Sequence, residues 1–171
     1  MNIYFVRHGD HVNSHLTELG KQQALLCSEY LEKDNHYSMI YSSPSSRCVE
    51  TANIINDKLD LAIEILDELS ERENLPNLYP QNASEQEWWD NYMNPSFSFD
   101  FPEGAKEFFG RIKNAINYIF NKHKKDENLI IVAHSSVAYA IAFALSNSTS
   151  PLWFKIGHCS VINFELENLL S

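Results

Sequence analysis

With 171 residues, 44% apolar and 21% charged, the chain is long enough for one domain with a sizeable core and ordinary enough in composition to exclude a fibrous or disordered class. Its net charge of −10 argues against a nucleic-acid footprint and against a basic membrane-facing surface, both of which need clustered Lys and Arg. Three scattered cysteines, Cys27, Cys48 and Cys159, with no CxxC pair, point to buried thiols in a reducing compartment rather than to disulfides or a zinc framework.

Met1 to Asp10 carries no charged segment ahead of a long apolar stretch, so no signal peptide is expected. No apolar run approaches the roughly 20 residues that span a bilayer. A cytoplasmic protein is expected. Ile3 to Val6 is a short apolar run with β-branched and aromatic members, which reads as a buried strand. It stops at Arg7-His8-Gly9, where a cation, an imidazole and a residue free to take positive φ meet. A polar loop follows to about His15. Thr17 then caps a helix to about Lys33 with Ala24, Cys27 and Leu31 on one face.

Met39 to Tyr41 reads as a second strand. It ends in Ser42-Ser43-Pro44, with Ser43 as N-cap and Pro44 as first residue of a helix to about Leu59. That helix holds Arg47 in its first turn. Leu61 to Leu66 is a third strand. A long connection, 67–104, contains a capping box at Ser84-Glu85-Gln86-Glu87 and an aromatic load at Trp88 and Trp89. A connection of that length is expected to be a lid or substrate loop. Phe108, Ile112, Ala115 and Ile119 are the stripe of a helix from Ala105 to Lys122. Leu129 to Ala133 is the clearest buried strand. His134-Ser135-Ser136 follows, then an apolar helix through Leu145 and a last strand from Ser160 to Leu166. Strands alternating with helices predict an α/β fold, a mostly parallel central sheet covered by helices on both faces. Residues 1–171 are expected to form a single domain.

His8 and His134 each follow a buried strand directly, and in a parallel sheet such ends lie on one edge, where ligands bind. Arg7, Arg47, Glu71 and Arg72 sit in the turns of that same edge. Arginine's planar fork matches phosphate oxygens, and helix N-termini add N–H donors for an anion. An imidazole held among such cations can attack phosphorus, while a nearby carboxylic acid protonates the departing oxygen.

The motifs Arg7-His8-Gly9, Leu16-Thr17-Glu18-Leu19-Gly20, Ser43-Pro44 with Arg47, Leu69-Ser70-Glu71 and Val132-Ala133-His134 occur in an order that resembles the histidine phosphatase superfamily, the phosphoglycerate-mutase-like group. The resemblance covers nearly the whole chain. It implies a three-layer α/β/α sandwich. It also implies His8 as phosphorylated nucleophile, Arg7, Arg47 and His134 as the phosphate pocket, and Glu71 as proton donor. It adds no metal and no organic cofactor. Arg72 and Ser135 are further candidates for substrate contact. The short spacing between the first two motifs, Ser135 in place of glycine, Ala105-Lys106 after Gly104 and His158-Cys159-Ser160 before the last strand depart from the mutase pattern. The expected activity is a metal-independent phosphatase acting on a small phosphorylated metabolite. Other readings are a phosphohistidine-protein phosphatase, a phosphoglycerate-type mutase, or a non-catalytic phosphate-binding module. A metallohydrolase built on His8, Asp10, His11 and His15 ranks last, because the arginines would repel its cation.

Overall fold

A computed structural model describes residues 1–33, 36–72, 103–146 and 155–166. The expected capping box at Ser84 and the residues Trp88 and Trp89 lie outside the described residues.

The elements in chain order are β1 (Asn2–Arg7), β2 (His11–Val12), β3 (His15–Leu16), α1 (Glu18–Glu32), β4 (Tyr37–Ser42), α2 (Ser46–Leu59), β5 (Ile63–Ile65), a 3-10 turn (Asp67–Leu69), α3 (Ala105–Lys122), β6 (Asn128–Ala133), α4 (Ser135–Leu145) and β7 (Val161–Glu165). Five strands form one sheet in the order β5-β4-β6-β1-β7. All neighbours run parallel except β1 and β7, which are antiparallel. This is the mostly parallel sheet expected from the sequence, with one antiparallel edge strand.

Strand alternation divides the core between the two faces. From β6, Ile130 and Val132 join Val6, Leu31, Ile40, Cys48, Ala52 and Ile55 under α1 and α2. Leu129, Ile131 and Ala133 join Phe5, Phe108, Ile112, Ile116 and Val137 under α3 and α4. Helices therefore cover both faces, giving three layers. The stripe expected along α3 is buried as read, and so is the α1 face of Ala24, Cys27 and Leu31.

Register sets the functional edge. Arg7 pairs with Ala133, and Ser42 with Val132, so β1, β6 and β4 end level with one another. Two more backbone bonds extend the ladder past the strands. The His8 N–H donates to Ala133 O at 3.0 Å, and the Ser43 N–H donates to Val132 O at 3.0 Å. His8, His134 and Ser43 are thereby placed side by side.

Three local expectations are corrected. Ser45, not Ser43, is the N-cap of α2, and the helix starts at Ser46, because the ladder bond holds Ser43 in extended backbone. Gly9 does not take positive φ. It is needed for close approach instead: a Cβ there would lie 2.6 Å from Gly20 O, and one at Gly20 would lie 2.0 Å from Asp10 O. The loop after Gly9 is a small hairpin of β2 and β3, turning through Asn13 and Ser14 with φ of 49° and 72°.

These contacts give a paired prediction. Gly20→Ala forces two backbones apart and should lower the melting temperature markedly. Gly110→Ala, exposed within α3 with nothing within 4 Å of the added Cβ, should raise stability by about 0.5–1 kcal/mol. Thermal unfolding of both variants checks this; a Gly20→Ala protein as stable as the parent would show that the glycine contact is not tight.

Candidate active site

His8 follows the last residue of β1 and is 2% exposed. Its Nδ1 lies 2.9 Å from Gly9 O. A carbonyl only accepts, so Nδ1 carries the proton and Nε2 keeps a lone pair. Arg47 Nε donates to that Nε2 at 3.2 Å. The nitrogen with the free lone pair is therefore identified by its neighbours: it is the one facing the guanidinium.

His134, fully buried, N-caps α4. Arg47 Nη2 donates to its Nδ1 at 3.1 Å, and its Nε2 lies 2.9 Å from Ser43 Oγ. With Nδ1 accepting, Nε2 carries the proton and donates to the serine. The two rings stand 5.2 Å apart, centroid to centroid. Arg47 Nη2 also donates to Glu71 Oε2 at 2.8 Å, and the same oxygen lies 3.7 Å from His134 Nδ1. One guanidinium thus touches both histidines and the candidate acid.

Arg47 reaches this position from the first turn of α2. Thr51 accounts for part of its placement, because its hydroxyl donates to Arg47 O at 2.7 Å and accepts from the Gly9 N–H at 3.1 Å. That single hydroxyl joins α2 to the loop carrying His8. Arg7 donates from Nη1 to Ile156 O at 2.5 Å, and its Nε is buried with no partner among the described residues.

Burial is the main influence on the titration of the site. It pushes the His8 pKa down from 6.5 to about 3, assisted by Arg47, His11 and Arg7 against the Gly9 hydrogen bond. It pushes His134 down to about 2, assisted by Arg47, His8, His11 and Arg7. Both imidazoles are neutral at pH 7 when no anion is bound. Glu71 shifts the other way. Although 42% of its side chain meets solvent, the protein around its carboxylate disfavours the charged form, while Arg47 and Arg7 favour it. The balance is a raised pKa.

His8, His134, Arg47 and Glu71 are thus brought together as the sequence suggested, with Arg7 at the adjacent strand end. Ser135 opens α4 beside them and is 8% exposed. Arg72 is turned inward instead: it is 2% exposed, and its Nε donates to Glu103 O at 3.0 Å. Two roles were not read from the sequence, where Ser43 stood only as a helix cap within the Ser43-Pro44 motif. Ser43 fixes the tautomer of His134. Arg111 clamps the Glu71 segment to α3, with its Nε and Nη2 on the Glu103 carboxylate at 2.7 and 2.6 Å. Its Nη1 donates to Glu68 O at 2.6 Å and Ser70 O at 3.0 Å. A serine at a strand end and an arginine on a helix carry no local signal of such roles. His11 and His158 also stand near His8, with ring centroids at 4.7 and 5.7 Å. His15 does not: it is exposed and pairs with Glu50 at 2.5 Å.

The arrangement holds a neutral imidazole lone pair and fixed arginine donors in one buried corner, with a carboxyl group at its solvent-facing edge. That combination suits capture of a tetrahedral oxyanion and in-line attack on it.

Comparison with known proteins agrees with the geometry. The chain is 30% identical over 155 residues to phosphoglycerate mutase-like protein 4 of Arabidopsis thaliana, a span covering 79% of this chain and 66% of that protein. It is 29% identical over 168 residues to the metal-independent phosphoserine phosphatase of Arabidopsis thaliana, covering 86% and 70%. The matched span is thus about two thirds of the length of these relatives. Among solved structures, a mycobacterial glucosyl-3-phosphoglycerate phosphatase in complex with VO3 has a TM-score of 0.77 at 20% identity, over 95% of this chain and 90% of that one. That likeness is one of fold. The model of the histidine phosphatase superfamily (branch 1) matches residues 3–168. A match running nearly end to end decides the family: this chain belongs to branch 1 of the histidine phosphatase superfamily.

Proposed function

We propose that the chain is a metal-independent phosphatase that hydrolyses small phosphomonoesters through a phosphohistidine on His8. The observation that carries this reading is the tautomer of His8: Nδ1 is tied to Gly9 O, so the lone pair of Nε2 points at Arg47. The name of the Arabidopsis thaliana relative, a metal-independent phosphoserine phosphatase, supports the same reading.

A phosphomonoester dianion entering the corner takes over the donors of Arg47, together with those of Arg7. The first N–H groups of α2 and α4 start at this edge and favour negative charge. His134 then takes up a proton at Nδ1, where it now accepts from Arg47, and becomes a cationic donor to the phosphoryl oxygens. His8 Nε2 attacks phosphorus, forming an N–P bond as the P–O bond to the leaving group breaks. Glu71 gives its proton to that leaving oxygen. Water then attacks the phosphohistidine, Glu71 takes the water's proton, and the N–P bond breaks to release inorganic phosphate. Residues 67–104 belong in this scheme as the lid or substrate loop.

His8→Ala should abolish turnover of phosphomonoesters while the protein stays folded, as read by steady-state rates and circular dichroism. Acid-labile phosphate trapped by rapid quench should map to the peptide containing His8; its appearance on another residue would overturn the scheme. Glu71→Gln should slow alkyl phosphates far more than p-nitrophenyl phosphate, whose leaving group needs no proton. Equal losses on both substrates would assign the acid to a different residue.

The depressed histidines also predict a pH dependence. The unfolded chain takes up protons as pH falls through 6.5, while folded His8 and His134 resist until about 3 and about 2. The stability these groups permit is therefore whole above pH 6.5 and is lost progressively as pH drops toward 3. A bound dianion opposes this by favouring the cationic form of His134. Millimolar sulfate should therefore raise the melting temperature more at pH 5.5 than at pH 7.5. An equal shift at both values would show that no proton enters with the anion.

A further inference from the structure

His11 and His158 are left unused by this chemistry, yet they complete a cluster on the nucleophile. We propose that His8, His11 and His158 form an inhibitory site for a divalent transition metal of the zinc type. The inhibitory consequence rests on the phosphatase reading; the metal site itself does not.

One ring nitrogen from each of the three residues lies within 4.8 Å of the other two. The rings of His11 and His158 stand 6.1 Å apart, each facing His8. Three imidazoles with an open fourth position are a donor set that suits Zn²⁺. Closing them on an ion at about 2.0–2.1 Å brings the nitrogens to within roughly 3.4 Å of one another, a movement of about 1 Å. His11 in the two-residue β2 and His158 in the turn before β7 are both partly exposed and have room to make it.

Two further observations favour a metal. First, His11 Nδ1 is buried and has no hydrogen-bond partner among the described residues. Second, Asp10 Oδ1 lies 3.8 Å from His158 Nδ1, placed to orient that ring and to offset cationic charge. Arg7 and Arg47 oppose the ion, which makes the site weaker than a structural zinc site. Because the ion takes the His8 lone pair, metal occupancy and attack on phosphorus exclude each other.

The test is Zn²⁺ calorimetry on the full chain, paired with the visible spectrum of the Co²⁺-loaded protein. One equivalent should bind, with tetrahedral Co²⁺ bands. His11→Asn and His158→Asn should each weaken binding by more than about tenfold, since even an outer-shell partner accounts for that much. His15→Ala and Cys159→Ser should bind zinc like the parent. Vanadate should displace Co²⁺ from the parent protein, and the ratio of rates with and without zinc should approach one in the two asparagine variants. Unchanged affinity in both asparagine variants, loss of binding in Cys159→Ser, or absence of tetrahedral bands in the parent would each overturn the site. The Co²⁺ spectrum does not depend on turnover, so an inactive parent would count against the phosphatase reading alone.

Discussion

The Arg47 guanidinium is the hub on which the corner depends. It donates to His8 Nε2, to His134 Nδ1 and to Glu71 Oε2. A lysine ammonium on a flexible stem would not hold three partners in this fixed geometry; a planar fork with five donors does. The same cation also sets the chemistry. Its charge adds to burial in keeping both imidazoles neutral, and neutral imidazole is the form that the proposed attack requires. At rest, a hydrogen bond from Arg47 covers the lone pair. In the proposed scheme an entering anion competes for that donor and so uncovers the His8 lone pair.

The scaffold makes this hub possible by aligning strand ends. The level ends of β1, β6 and β4 deliver His8, His134 and Ser43 without any strained backbone between them. Contacts outside the sheet then fix the remaining freedom. Gly9 and Gly20 let the loop after β1 lie directly on the start of α1. Thr51 ties that loop to α2, and Arg111 pins the segment that presents Glu71. Each of these acts on the position of a reactive group through another residue.

Charge is distributed unevenly. The chain carries −10 overall, yet its corner gathers Arg7, Arg47 and four imidazoles, His8, His11, His134 and His158. Burial is the largest influence lowering the pKa of all four imidazoles, and the charge of Arg7 lowers each of them further. The corner is thus a reservoir of proton acceptors, as the proposed uptake of a dianion with its proton requires. No helix among the described residues is long and apolar enough to cross a membrane.

Local patterns decided much of this protein in advance. Apolar runs marked β1 and β6, the 3.6-residue stripe marked α3, and the abrupt polar stops after the two strands marked His8 and His134. Those signals are legible because hydrophobic periodicity and strand termini are properties of neighbouring residues. Arg47 and Glu71 were legible as members of motifs on the same sheet edge as His8 and His134, and the individual hydrogen bonds among them were not. Tertiary structure alone decided that Ser43 serves His134 rather than capping α2, and that Arg72 turns inward. It alone placed Arg111 to hold the Glu71 segment, and His158, from the far end of the chain, to face His8. The physical reason is common to all of these. Where a side chain goes depends on the register between distant strands and on which helix covers it, and whether a histidine holds a proton depends on how deeply that packing buries it.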